Sequence, residues 1–256
     1  MRRYQLFEIH DHPWCPTLLR DLFTDALQAI WNRTNSYHPI APLLTEALAQ
    51  THSTQILDLC SGAGGPWFRL IKDLDPTTTV RLTDKYPNQE AFTAALSKSN
   101  GRITFDPRSI SATEVPSDLH GLRTMFSTFH HFTPPEAREI LANAVEQNQG
   151  IAILETAGRN PRTILGVCVI PILTLLLTPK IRPFHWSRIL LTYILPAVPF
   201  ALCFDGLMSC VRAYSHQQLQ ELVQSLPANN YQWQIGIQHG GFSPVTYLIG
   251  YPAPKS

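Results

Sequence analysis

Gln55-Ile-Leu-Asp58-Leu-Cys60-Ser61-Gly62-Ala-Gly64-Gly65-Pro66-Trp67 decides how this chain folds. An apolar strand runs to Asp58, the chain turns through Gly62, Gly64 and Gly65, and Pro66 with Trp67-Phe68 opens a helix. Glycine tolerates positive φ and lets a ligand approach the main chain without a Cβ in the way, and the free N–H groups of a helix start favour negative charge. A strand, a glycine turn and a helix start together make a grip for a nucleotide-like ligand at the carboxyl edge of a parallel sheet.

A dinucleotide fingerprint needs a third glycine where this chain has Trp67, because close packing of helix on strand over a pyrophosphate depends on it. The Gly-Lys-Ser/Thr of a phosphate-binding loop is missing too. Val80-Arg-Leu-Thr-Asp84 reads as a short strand ending in a carboxylate, about twenty residues past the glycines, where a βαβ unit places an acid to receive ribose hydroxyls. Capping of the helix that follows Pro87-Asn88 is the other reading of Asp84.

On these residues the stretch resembles motif I of the class I S-adenosylmethionine-dependent methyltransferases, with Asp58 as the acid, Cys60 at the first glycine, and Gly62 and Gly64 as the second and third. The resemblance implies S-adenosylmethionine as cofactor and S-adenosylhomocysteine as product. It places Ser61, Gly62, Gly64 and Gly65 around the amino-acid half and Asp84 with Lys85 at the ribose. Ser111 and Ala112 fall in the loop after strand 3 that meets adenine; most members carry Asp where Ser111 stands. Phe126-Ser127-Thr-Phe129-His130-His131-Phe132 closes strand 4 and is similar to the segment that passes beside the methionine half. Its Ser127 joins the cofactor set.

With 256 residues, 44% hydrophobic and 15% charged, the chain is long enough for one α/β domain with appendages. Net charge is +1 and the basic residues are scattered, which disfavours nucleic acid as a partner, since phosphate neutralisation needs a concentrated basic face. Five cysteines without C-x-x-C spacing, and an opening Met1-Arg-Arg-Tyr-Gln-Leu-Phe-Glu8 that is no signal peptide, point to a reducing, cytoplasmic location.

Residues 16–31 and 39–50 read as two amphipathic helices forming an N-terminal cap over residues 1–50. From 55 the chain alternates: strand 55–60, helix 66–74, strand 80–84, helix 88–98, strand 102–106, strand 122–129, helix 134–147, strand 150–155. Such alternation predicts a parallel sheet covered by helices. Strands 231–238 and 245–251 add a hairpin. The expected fold class is α/β, a Rossmann-like, mostly parallel seven-stranded sheet with a C-terminal antiparallel hairpin, spanning 51–256. An apolar insertion at 160–212 interrupts it. Residues 163–179 and 189–204 lack charge and contain prolines, and as helices each would cover roughly 25 Å, short of the about twenty residues a span requires. Two readings stand: a lid over an apolar acceptor, or a monotopic hairpin giving peripheral membrane contact, with Lys180, Arg182, Trp186 and Arg188 in the headgroup zone.

Candidate catalytic residues follow from chemistry near the expected methyl position. His130 or His131 can take a proton from an acceptor hydroxyl or amine; packing in the core is the alternative for one of them. Phe7-Glu-Ile-His10-Asp11-His12-Pro-Trp14 sets acid and imidazole beside aromatics, so Asp11 and His12 join the catalytic candidates, with Asp11 polarising a histidine. His-x-His invites a metal, yet no third ligand follows at a recognisable spacing, and none is expected. His10, Trp14, Tyr37, Phe129, Glu155, Trp186 and Tyr193 are the candidate acceptor contacts. The expected activity is methyl transfer to an oxygen or nitrogen of a hydrophobic small molecule or lipid. A same-fold enzyme catalysing non-methyl transfer or cyclisation, and a cofactor-binding docking protein, are the alternatives.

Overall fold

In the computed structural model, which describes residues 3–12, 14–227 and 230–253, seven strands share one sheet. They are β1 (Gln55–Asp58), β2 (Thr79–Asp84), β3 (Ile103–Ser109), β4 (Leu122–Phe126), β5 (Ile151–Glu155), β6 (Tyr231–Gln238) and β7 (Val245–Pro252). Their order is β3-β2-β1-β4-β5-β7-β6. The first five are parallel, and β7 runs antiparallel between β5 and β6. Strand order reverses beside β1, which pairs with β2 through Asp58↔Leu82 and with β4 through Asp58↔Thr124. The carboxyl end of β1 is therefore the switch point of the sheet, where α/β folds bind ligands.

The expected alternation is borne out, and the period-two strand geometry explains its two cores. Ile56 faces the layer with Trp67, Leu70, Val80, Phe92 and Leu154, while Leu57 and Leu59 face the layer with Met125, Ile140, Leu141 and Ile153. Helix α5 (Pro134–Glu146) starts on a capping box of Thr133 and Glu136, with Thr133 N donating to Glu136 Oε2 at 2.8 Å. Pro107 sits inside β3, which the pairing permits because β3 is an edge strand.

Several boundaries differ from expectation. The helix expected over 66–74 is one turn, α3 (Trp67–Leu70), tightening into a 3-10 turn at Ile71–Asp73. Strand 4 stops at Phe126 instead of 129, because Ser127 adopts φ 47° and the chain folds into a 3-10 turn at Phe129–His131. Helix α4 (Gln89–Lys98) follows β2 as read.

The N-terminal helices are α1 (Thr17–Thr34) and α2 (Ala41–Gln50). They part company: Leu44 and Leu48 of α2 join the core under β7, while α1 packs its Leu22, Phe23 and Ala26 against Val198, Ala201 and Leu202 of the insertion. That insertion is helical, comprising α6 (Pro161–Leu177), α7 (Trp186–Ile189), a π turn at Leu190–Ile194 and α8 (Ala197–Arg212), before α9 (His216–Gln224). The prolines interrupt it as expected in one segment only: Pro196 stands at the break between the π turn and α8, which are bent by 70°. Pro171 is carried inside α6, and Pro161–Lys180 forms 20 helical residues of mean hydropathy 1.9, long and apolar enough to cross a membrane by length and composition.

Candidate functional site

The β1 turn is the local consequence of its sequence. Cys60, Gly62, Gly64 and Gly65 all take positive φ (56°, 55°, 100° and 51°), and Ser61 Oγ donates to the Asp58 carbonyl at 2.9 Å. Asp58 is buried below the turn and accepts from Thr124 Oγ1 at 2.6 Å across the switch point. Burial raises its carboxyl to about 7. A carboxyl held above its unfolded value costs stability when ionised; the cost starts above the unfolded value, 3.8, and is complete above about 7. Asp58→Asn keeps an acceptor for Thr124 and removes the charge. Its stability gain over the parent should grow by about 1–3 kcal/mol between about pH 5 and about pH 8. Urea unfolding at the two pH values reads this, and a pH-independent difference would contradict it.

Asp84 ends β2 directly above the turn. Its Oδ2 accepts from Gly62 N at 2.8 Å and its Oδ1 from Tyr86 N at 2.8 Å. The cap of α4 is Asn88, whose Oδ1 accepts from Ala91 N at 3.0 Å, so the helix-capping reading of Asp84 falls. Ile110 N donates to the Asp84 carbonyl at 2.9 Å, which brings Ser111 and Ala112 alongside. Ser111 Oγ pairs with Thr113 Oγ1 at 2.8 Å, and Ala112 is buried in the core. Lys85 is exposed, its ammonium 5.8 Å from the Tyr86 ring.

An apolar cavity with about 1000 Å³ of empty space, mouth included, begins at this turn. Asp58, Cys60, Ser61, Gly62 and Gly65 form one end; Ser127, His130 and His131 come from the end of β4; and His10 comes from the N-terminal segment. Val167 and Ile170 of α6 and Leu202 and Gly206 of α8 roof it, facing Phe23, Thr24, Leu27 and Trp31 of α1. Helices α6 and α8 thus overhang the cavity, and α1 alone of the two N-terminal helices supplies the opposite wall.

Helix α1 also grips the turn. A Cβ at Gly62 would meet Thr24 Cγ2 at 3.0 Å, Gln28 Nε2 donates to the Ala63 carbonyl, and Asn32 Nδ2 donates to the Gly65 carbonyl at 2.9 Å. These contacts escaped the sequence reading, although Thr24, Gln28 and Asn32 recur every fourth residue and so form an uncharged polar stripe along one face of an amphipathic helix.

At the far end, carboxylates hold three imidazoles. His10 Nδ1 lies 2.8 Å from Asp205 Oδ2, His131 Nδ1 lies 2.8 Å from Asp11 Oδ1, and His130 Nδ1 lies 2.6 Å from Glu155 Oε2. The rings of His10 and His131 meet edge to face, centroids 4.9 Å apart. Their protonation is driven apart. Burial dominates at His131 and lowers its pKa; at His10 burial also lowers it, but the Asp205 bond and the Glu8 and Asp11 charges outweigh that and raise it. Glu8, fully buried, is pushed up by desolvation. Glu8, His130 and His131 bring ligand atoms within 4.8 Å of one another, close enough to hold a cation. The Arg212 guanidinium already stands 3.2 Å from Glu8 Oε1 and 2.6 Å from Asp11 Oδ2, so the chain provides its own countercharge.

Several expected contacts lie elsewhere. His12 stacks on Trp14, rings 5.4 Å apart, outside the residues lining the cavity. Trp186 and Tyr193 are exposed on the outside of the insertion. Gly64 turns from the cavity toward Gln28 and Leu82. Phe129 is buried against Tyr214, Tyr37 is buried with its hydroxyl 2.8 Å from Ser127 Oγ, and Glu155 is spent on His130 and on Phe129 N, which donates to it at 2.7 Å. None of these eight lines the cavity. Asp205 meets His10 across 195 positions and Arg212 meets Asp11 across 201, pairings that no local spacing marks.

The solved structures place this fold among known ones. The chain is 16% identical to an O-methyltransferase family protein from Burkholderia thailandensis, covering 96% of this chain and 62% of that one at a TM-score of 0.50. The plantazolicin methyltransferase BpumL in complex with SAH matches at 13% identity over 93% of this chain and 98% of that one, with a TM-score of 0.50. The pyocyanin biosynthetic protein PhzM matches at 12% identity over 85% and 55%, also at 0.50. The chain therefore spans less than two thirds of the length of the first and third. At these identities the likeness establishes the fold, that of the class I methyltransferases. No protein-family model and no curated protein sequence matches the chain.

Proposed function

We propose that this chain transfers a methyl group from S-adenosylmethionine to an oxygen or nitrogen of an apolar small molecule or lipid. One observation carries the reading: a single apolar cavity runs from the Gly62 turn to the carboxylate-held His131 and His10 under the roof of α6 and α8. The turn suits one nucleoside. Its backbone is bare where a Cβ at Gly62 would strike Thr24, Asp84 stands over Gly62 N as ribose acceptor, and the buried Trp67 fills the gap that a pyrophosphate fingerprint leaves to glycine. Gly62, Gly65 and Ser127 would border the amino-acid half, with Ser111 and Ala112 toward the adenine.

The cofactor supplies an already activated methyl, so the protein's work is positioning, exclusion of water and disposal of a proton. The roof and α1 align and desolvate the acceptor. His131, neutral because burial lowers its pKa and oriented by Asp11, takes the acceptor proton; His10, whose pKa is raised, stays available as a donor. The N-terminal segment through α1 and the insertion at 160–212 act together as two jaws, while α2 joins the core formed by the rest of 51–256. The five cysteines are free, which suits a cytoplasmic setting.

Calorimetry with S-adenosylhomocysteine tests cofactor binding, and incubation with labelled S-adenosylmethionine and an apolar extract tests transfer. Label appearing in an extractable product supports the reading. Binding without turnover would leave the docking alternative, and cofactor consumption with no methylated product would point to non-methyl transfer or cyclisation.

A further inference from the structure

The roof has a second apolar face. Along α6, Thr163, Val167, Thr174 and Leu177 are buried, while Leu165, Cys168, Ile172 and Leu176, spaced by three and four residues, line the opposite, exposed side. Only 22% of the apolar stretch within Pro161–Lys180 is buried. The exposed strip continues onto neighbouring elements: the Tyr193 hydroxyl donates to the Leu175 carbonyl, joining the π turn to α6, and Leu165, Leu176, Ile194 and Phe200 are each between 63 and 70% exposed. Single exposed leucines are ordinary; a strip of this extent marks a binding surface.

Charge selects the occupant. From Thr156 to Phe204 the chain contains no Asp or Glu, yet carries Arg159, Arg162, Lys180, Arg182 and Arg188. Arg162, Lys180 and Arg182 are exposed at the two ends of α6, and Trp186, 78% exposed beside Phe184, adds an aromatic anchor of the kind that sits at headgroup level. Basic ends, an acid-free apolar strip and flanking aromatics fit an anionic bilayer.

We propose that the outer face of α6, the π turn and the start of α8 docks on an anionic membrane surface, lying in the interface without crossing it. Crossing is opposed by the inner face: Val167 packs on Gly206, whose Cβ position is 2.8 Å from Val167 Cγ1, and Val198, Ala201 and Leu202 are held by α1. The helices cannot leave the domain without dismantling the cavity. Joined to the proposed methyl transfer, docking lets a membrane-dissolved acceptor reach the cavity from beneath the roof.

Co-sedimentation of the full chain with vesicles, read without cofactor, tests this separately from any activity. Binding should be stronger to vesicles containing phosphatidylglycerol than to phosphatidylcholine alone, with the difference shrinking in high salt. The double variant L176E/I194E should bind about tenfold less or worse, since two outer apolar side chains are replaced by repelled charges. Its affinity for S-adenosylhomocysteine and its thermal midpoint should match the parent, because neither position lines the cavity. Absence of sedimentation with both vesicle types, or equal sedimentation of the double variant, overturns the proposal. Concentration-dependent dimers that the double variant abolishes, without vesicle binding, would assign the face to a second copy instead.

Discussion

Replacing His131 by alanine should lower kcat by about 100-fold or more while leaving the affinity for S-adenosylhomocysteine within about twofold. The imidazole lines the acceptor end of the cavity, is held at Nδ1 by Asp11, and is kept neutral by burial. A base of this kind works in its deprotonated form, and its pKa is lowered from 6.5, so the acid limb of the kcat profile should lie below pH 6.5. Asp11→Asn removes an anion that favours the imidazolium and should move that limb further down. His130 offers the contrast. It is buried with Nδ1 spent on Glu155, so His130→Ala should act through stability, lowering the thermal midpoint as well as the rate. A fully active His131→Ala enzyme would leave positioning alone as the source of rate.

The second large effect concerns the cofactor. Asp84→Ala should weaken S-adenosylhomocysteine binding by about 10- to 150-fold, or about 1.5–3 kcal/mol, the worth of a charge-assisted hydrogen-bond pair. Because Asp84 also accepts from Gly62 N and Tyr86 N, part of the loss would come from a looser turn. Asp84→Asn is the milder change: one of the two backbone donors keeps its acceptor oxygen, while the ribose loses its charged partner. Calorimetry on both variants decides, and unchanged affinity in either would remove Asp84 from the ribose.

How much was legible depended on the range of the interaction. The parallel strands, their C-terminal hairpin and the glycine turn are written in local patterns, and these emerge where the sequence puts them. Boundaries failed where a single backbone angle decided them, as at Ser127, whose positive φ no composition announces. The proline rule failed in α6, where helix packing and a strongly apolar run outweigh one missing backbone bond at Pro171. Within the site, the turn and the paired histidines were visible. The pairings that hold them were not, because Asp205 and Arg212 reach His10 and Asp11 only through the fold. Aromatic residues misled most: Trp14, Trp186 and Tyr193 are as apolar as pocket residues but face outward.

The clasp between the N-terminal segment and α8 bears on the order in which this molecule comes into being. Ile9 N reaches Asp205 across 196 positions and Arg212 reaches Asp11 across 201. On the ribosome, Glu8 and Asp11 emerge early and wait, their charges in water, until α8 has followed. Contacts of such separation pay the largest loop-closure entropy and form late. The sheet and its glycine turn can therefore be complete while the histidine end of the cavity is still open. In a refolding chain, competence to bind cofactor should precede competence to turn over, and the first strokes of unfolding should silence the enzyme before the sheet is disturbed.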